Sequence, residues 1–189
     1  MIELTSHGVV SVLTMTHGKA NALDLELCTA LTARLEEYRQ SSARALVITG
    51  AGRMFSAGVD LVRVVSGGDT YVRVFLPAVS RAFETLFSLL KPVVAAVNGH
   101  AIAGGCIIAC AADYRVMARA PGRIGIPELR VGVPFPVVPL EIMRFAAGTR
   151  AQALINRGTT FQADEALAQG LVDAVVDLEA LEDEAMAVA

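Results

Sequence analysis

The chain has 189 residues, of which 54% are apolar and 19% charged, with no tryptophan. That balance suits one aliphatic α/β core and excludes an intrinsically disordered chain. The 16 basic and 19 acidic residues leave a net charge of −3, so no positive field is available to hold nucleic acid without sequence preference.

Met1 runs directly into "IELT" with no cleavable leader, and "VVSVLTM" follows after the turn signal Ser6-His7-Gly8, so the first 15 residues predict a β-hairpin. After "THGKAN", Asp24 is placed to cap a helix running through Arg39, with Leu27, Leu31 and Leu35 on one stripe. Ala45 to Thr49, "ALVIT", reads as a buried strand, and a continuous aliphatic run after a helix points to a parallel sheet covered on both faces. The glycine-rich "GAGRMFSAG" precedes a helix from about Tyr71 to Leu90, and beyond Pro92 "VVAAV" is another core strand. Gly104-Gly105 opens a short apolar helix ending near Asp113, and "YRVMA" starts the next strand in crossover style. Pro139 to Ala146, Arg150 to Asn156 and Ala163 to Gln169 read as short helices before a final strand in "LVDAVVD". No fixed-period repeat or low-complexity linker interrupts residues 1–189, which are expected to form a single domain.

The apolar run from Val93 to Val116 is about as long as the roughly 20 residues that cross a bilayer. Asn98 and His100 interrupt it beside Gly99, Gly104 and Gly105, and no cationic or aromatic flank marks an interface, so strand, turn and buried helix fit better than a membrane span. Cys28, Cys106 and Cys110 are an odd number, which with no leader points to a reducing cytoplasm. Cys106 and Cys110 share a helix face but lack the further ligands of a zinc site, so all three read as core thiols.

Four places could carry chemistry. In "GAGRMFSAG", Phe55 stands where a dinucleotide fingerprint needs its third glycine, and no Lys-Ser/Thr pair makes a phosphate loop. What remains, "FSAGVD", is either a tight turn or a stretch whose backbone N–H groups face a ligand. At Ala103-Gly104-Gly105 a helix begins, leaving amides unpaired; the glycines either let a carbonyl approach, as an oxyanion hole requires, or allow close helix packing. Ser56 lacks a partner among His7, His17 and His100 and no nucleophile elbow exists, while His100 is expected to donate to a core carbonyl. Glu128 is a lone carboxylate between Ile124 and Val138: a solvated loop acid, or, in an oily pocket, a group whose raised pKa lets it take and return a proton near neutral pH. Asp60 and Asp113 read as caps or backbone ligands.

Taken in order, "KANAL", "FSAGVDL", "PVVAAVNGHAIAGGC", "CAADYRV", "IGIPELRVGV" and "EALAQGLVDAVV" resemble the enoyl-CoA hydratase/isomerase family, the crotonases, over nearly the whole chain. The resemblance implies the ClpP/crotonase-like α/β fold: repeated ββα units, a mainly parallel sheet with flanking helices, and a helical part from about residue 139 that is short beside its relatives. It implies that the backbone amides of Val59 and Gly104 grip a thioester oxygen and that Glu128 is the catalytic carboxylate. It further places Ala57, Gly58, Asp60 and Leu61 along the coenzyme A site, counts Gly105, Ile107 and Pro127 among the substrate-binding residues, and sets Lys19 near a phosphate.

Hydratases of the family use two glutamates, and here Ile107 stands where the first belongs. The glycine-rich "PGxGG" common in hydratases is also absent after Glu128. One carboxylate is poorly furnished to add water but suffices to move a double bond, so the resemblance is greatest to the 3,2-enoyl-CoA isomerases. Hydratase, hydrolase and decarboxylase chemistries share the scaffold, and a catalytically inactive CoA-binding subunit is a further alternative. Coenzyme A is implied as part of the substrate, with no separate cofactor and no metal, in a cytoplasmic homo-oligomer of three or six chains.

Overall fold

The computed structural model describes residues 1–119 and 121–189. The alternating start of the chain forms β1 (Ile2–His7) and β2 (Val10–Met15), an antiparallel hairpin turning at Gly8, whose φ of 65° suits glycine. Every later strand of this sheet runs parallel to its neighbour: β4 (Ala45–Gly50) beside β2, β7 (Val93–Val97) beside β4, β9 (Tyr114–Ala118) beside β7, and β12 (Ala174–Val176) at the far edge. The order is β1-β2-β4-β7-β9-β12.

A second sheet decides where chemistry is possible. β5 (Met54–Ser56), β8 (His100–Ile102) and β10 (Ile124–Gly125) are parallel, with β8 in the middle and β11 (Thr160–Phe161) antiparallel on the β10 edge. A third pair, β3 (Ala22–Leu23) and β6 (Gly58–Val59), is also parallel. The ββα repeat follows from this arrangement. β4, β7 and β9 of the large sheet each lead into β5, β8 and β10 of the small one, and then into a helical segment.

Those segments are α2 (Leu61–Phe87), α3 (Gly104–Cys110) and a 3-10 turn, Glu128–Val131. α1 (Leu25–Gln40) precedes them, capped as expected by Asp24, whose Oδ1 accepts the Leu27 N–H at 2.7 Å. α4 (Val137–Ala147), α5 (Ala151–Arg157), α6 (Ala163–Gln169) and α7 (Leu181–Val188) complete the chain. Gly158 and Gly170 end α5 and α6 in the left-handed conformation.

Several element boundaries differ from those expected, three of them instructively. α2 begins at Leu61 rather than near Tyr71, because the Asp60 carboxylate caps it through the Arg63 N–H, and it is kinked at Gly68. α3 ends at Cys110, and Asp113, instead of closing it, accepts the Val93 N–H at 2.8 Å and so ties the start of β9 to β7. Only Ala174–Val176 of "LVDAVVD" is strand, since Leu171 and Val172 fold inward directly after the Gly170 cap.

The main core lies between the large sheet and α1, α3 and the second half of α2, where Leu13, Ile48 and Val97 meet Leu31, Phe83 and Ile108. On the opposite face Val47, Val94 and Val116 pack under Leu181 and Ala185 of α7. Both faces of the parallel sheet are thus covered, as an aliphatic sheet requires. Among the described residues no helix is long and apolar enough to cross a membrane.

Candidate active site

Because β5, β8 and β10 are parallel neighbours, their C-terminal ends point the same way, and the chain leaving each one arrives at a common place. Val59 follows the end of β5, Gly104 the end of β8 and Glu128 the end of β10.

The first segment is stitched down on both sides of Val59. Ser56 is buried, and its hydroxyl donates to the Asn21 carbonyl at 2.7 Å while accepting the Gly58 N–H at 3.2 Å. Asn21 Nδ2 donates to the Met54 and Phe55 carbonyls, both at 3.1 Å. The Ala57 N–H donates to the Ala20 carbonyl, and the Asp60 N–H to that of Leu23. Gly58 adopts a φ of 80°, and a Cβ there would lie 2.5 Å from the Ile102 oxygen and 3.0 Å from the Gly104 nitrogen. The absence of a side chain at Gly58 therefore brings the two amide-bearing segments into direct contact.

Gly104 opens α3 behind Ala103, which supplies no side-chain cap and holds φ 54°, ψ −123°. An alanine in this region is strained and persists only where its surroundings impose it. Here the Ala103 N–H is fixed on the Gly125 carbonyl at 2.8 Å, and a Cβ on Gly104 would come within 2.6 Å of Leu23 Cδ1. The Gly104 amide, at the first position of the helix, has no intrahelical acceptor.

Glu128 begins the 3-10 turn, its carbonyl accepting the N–H groups of Gly132 and Val133. Its side chain lines a hollow of about 130 Å³ together with Val59, Gly104 and Ile107. α2 supplies most of the remaining wall, including Leu61, Val64, Phe75 and Phe83, and α4 adds Pro139. Glu128 Oε2 is buried without a hydrogen-bond partner among the described residues. Loss of hydration pushes its pKa up to about 7, only partly opposed by its own backbone N–H. Of the two sequence readings, the oily pocket is the one found. A carboxyl so poised exchanges protons near neutral pH, and paired amides nearby can stabilise negative charge developing on an oxygen.

Of the remaining expected site residues, Leu61 and Ile107 line the hollow, Ile107 being 1% exposed. Ala57, Gly58, Asp60 and Pro127 belong to the backbone flanking it. Gly105 is buried away from it, since a Cβ there would meet the Ser56 carbonyl oxygen at 2.4 Å; it seats α3 on the first loop. Lys19 is exposed on the turn just before Ala20, whose carbonyl holds Ala57.

Ser56 is engaged with Asn21 and Gly58 and meets no histidine: the His17 ring pairs with Asp24 at 2.7 Å. Among the described residues His100 makes no side-chain hydrogen bond, to a core carbonyl or otherwise. The Cys106 and Cys110 sulfurs lie 3.9 Å apart and buried, and no cluster of three metal-ligating side chains occurs among the described residues. Sequence reasoning missed Asn21 and Ala103. The asparagine in "KANAL" was a usable signal, because Asn tolerates the positive φ, here 46°, that this corner needs.

A half-buried glutamate with one oxygen out of water and the segments bearing Val59 and Gly104 line one apolar hollow at parallel strand ends, an arrangement suited to proton transfer beside a stabilised oxyanion. Comparison with known proteins places that arrangement: residues 5–189 match the family described as enoyl-CoA hydratase/isomerase, and the chain belongs to it. A carnitinyl-CoA dehydratase of Citrobacter koseri is 33% identical over 187 residues, which cover 97% of this chain and 71% of the relative. The human mitochondrial delta3-delta2-enoyl-CoA isomerase structure superposes with a TM-score of 0.94 at 29% identity, over 99% of this chain and 75% of that one. An enoyl-CoA hydratase structure from Bacillus anthracis gives 0.90 at 29% identity, over 99% and 74%. The fold is the crotonase fold, and the protein is a crotonase-family acyl-CoA enzyme.

Proposed function

We propose that the enzyme moves the double bond of 3-enoyl-CoA esters to the 2-position, with Glu128 as its single acid/base. The Glu128 carboxylate takes a proton from C2. Electrons shift onto the thioester oxygen, where the amides of Val59 and Gly104 hold the dienolate. The protonated Glu128 then returns the proton at C4, the double bond ends between C2 and C3, and the carboxylate is regenerated. Ala57 to Leu61 run along the coenzyme A portion of the substrate with Lys19 toward a phosphate, and no separate cofactor takes part. A cytoplasmic homo-oligomer fits this reading.

One observation carries it: beside Glu128 the hollow presents Ile107, an alkyl side chain that neither holds nor activates water. Dehydratase or hydratase chemistry is the second reading, favoured by the 33% identity to carnitinyl-CoA dehydratase. Spectroscopic assays of 3-hexenoyl-CoA isomerisation and crotonyl-CoA hydration separate the two. Isomerisation is expected to be much the faster and to vanish almost completely in Glu128→Gln. An undiminished rate in that variant removes Glu128 from the mechanism, and faster hydration than isomerisation selects the second reading.

A further inference from the structure

The hollow facing Glu128 measures about 130 Å³, slightly less than the roughly 150 Å³ apolar cavity that takes up one benzene ring. On that scale it accommodates about six carbons. Its inner wall is deeply packed, with Phe75, Phe83 and Ile107 at 1%, 4% and 1% exposure. Part of its outer wall is the helical segment Leu61 to Gly67, and Leu76 and Pro136 complete the exposed rim. In that segment Leu61 and Val64 line the hollow, while Val62 and Val65, at 80% and 81% exposure, meet solvent.

That segment ends at a hinge. Gly68 leaves helical geometry at φ 57°, ψ −156°. Among the described residues, every hydrogen bond from 61–67 to a distant part of the chain is made by Arg63. One terminal nitrogen donates to Asp24 Oδ2 at 3.2 Å and to Glu26 at 2.6 Å, and the other donates to Glu26 at 2.5 Å. The guanidinium lies 5.3 Å from the centre of the Tyr71 ring, whose hydroxyl accepts the Leu25 N–H. Exposed ion pairs generally hold little, but the Glu26 pair is bidentate, and the single bond to Asp24 reaches a side chain only 9% exposed.

We infer that Arg63 is a positioning residue that sets acyl-chain length: by fastening the first two turns of α2 to Asp24 and Glu26, it keeps Leu61 and Val64 closed over the hollow and restricts the enzyme to short acyl groups of about six carbons. The inference rests on the reading of the hollow as the acyl site. Arg63 touches no reacting atom. Releasing it lets the segment swing about Gly68 and opens a path for longer chains, while Glu128 and the two amides stay in place.

The test uses the full chain and a series of 3-enoyl-CoA esters from hexenoyl to dodecenoyl, with calorimetric binding of the saturated hexanoyl and decanoyl esters alongside. In the wild type, kcat/KM is expected to fall at least about tenfold from hexenoyl to decenoyl. In Arg63→Met, which keeps the aliphatic stem, the fall shrinks to about threefold or less, with kcat on hexenoyl-CoA nearly unchanged. Arg63→Lys, which keeps a cation between Asp24 and Glu26, retains most of the discrimination that Arg63→Met loses, a result that loss of folding does not give. An identical length profile in wild type and Arg63→Met, or a uniform loss of kcat on every ester, overturns the inference. Should no ester be isomerised, the proposed activity fails by itself. The ratio of hexanoyl to decanoyl binding then still decides, and an equal ratio in wild type and Arg63→Met overturns the length limit.

Discussion

On one side of the hollow, the segments bearing Val59 and Gly104 are held by buried side-chain-to-backbone bonds from Ser56 and Asn21 and by a glycine contact at Gly58 that leaves no room for a methyl group. On the other, Glu128 starts a 3-10 turn with one oxygen unpartnered, and the wall near it is partly exposed. The amide side is inseparable from the fold, because the bonds that aim it also close the corner between β5 and β6. The carboxyl side can be altered with the fold intact, since nothing among the described residues depends on Oε2 for a hydrogen bond. On the proposed mechanism, geometry for charge stabilisation is thus set by architecture, and proton transfer by one replaceable side chain.

Four substitutions or titrations break or sharpen that contrast. Glu128→Gln has the largest expected effect, an activity loss of about 10³-fold or more in steady-state kinetics with the fold retained by circular dichroism. Gly58→Ala, on the amide side, imposes a strained φ and a clash with the Ile102 carbonyl, so turnover is expected to drop about 100-fold and the melting temperature to fall with it. A variant that loses turnover without any change in melting would show the two sides to be equally separable.

The third concerns stability rather than rate. The Glu128 pKa rises from the ordinary 4.5 to about 7 on folding, so between those values the folded chain binds more protons than the unfolded one. Stability contributed at this site therefore falls as pH rises from 4.5 to about 7 and stays low above it. Denaturant titrations should find Glu128→Gln more stable than wild type by up to about 3 kcal/mol above neutrality, with the gap closing toward acid pH. As base, the same group must be charged, so kcat/KM should climb about tenfold per pH unit below its pKa and level off above it. The smallest effect is that of Ser56→Ala, which leaves the buried Asn21 carbonyl without its donor and is expected to cost about 1–2 kcal/mol of stability by chemical denaturation.

Local signals made much of this fold legible. The Ser6-His7-Gly8 turn signal between β-rich runs gave the β1-β2 hairpin, the Asp24 cap gave the start of α1, and Ala163 to Gln169 coincides with α6. The start of α2 was hidden because Ser66-Gly67-Gly68 looks like a break, whereas the Asp60 cap and the inward-facing Leu61 and Val64 outweigh that local preference. At the site, Glu128 was visible as a lone acid in an apolar run, and the amide positions followed from family resemblance. Asn21 and Ser56 were not visible in their true roles, since each acts through a carbonyl more than 30 residues away in sequence. The strain at Ala103 was equally hidden: alanine carries no sequence mark of positive φ, and only the bond to Gly125 from a later strand imposes it.

That alanine also says something about timing. A peptide bent against its own preference and locked by a neighbouring strand is already oriented while the enzyme waits, so no reorganisation of the loop has to precede chemistry. Rapid-mixing traces should accordingly begin at full slope, without an induction phase, on the first turnover as on the last.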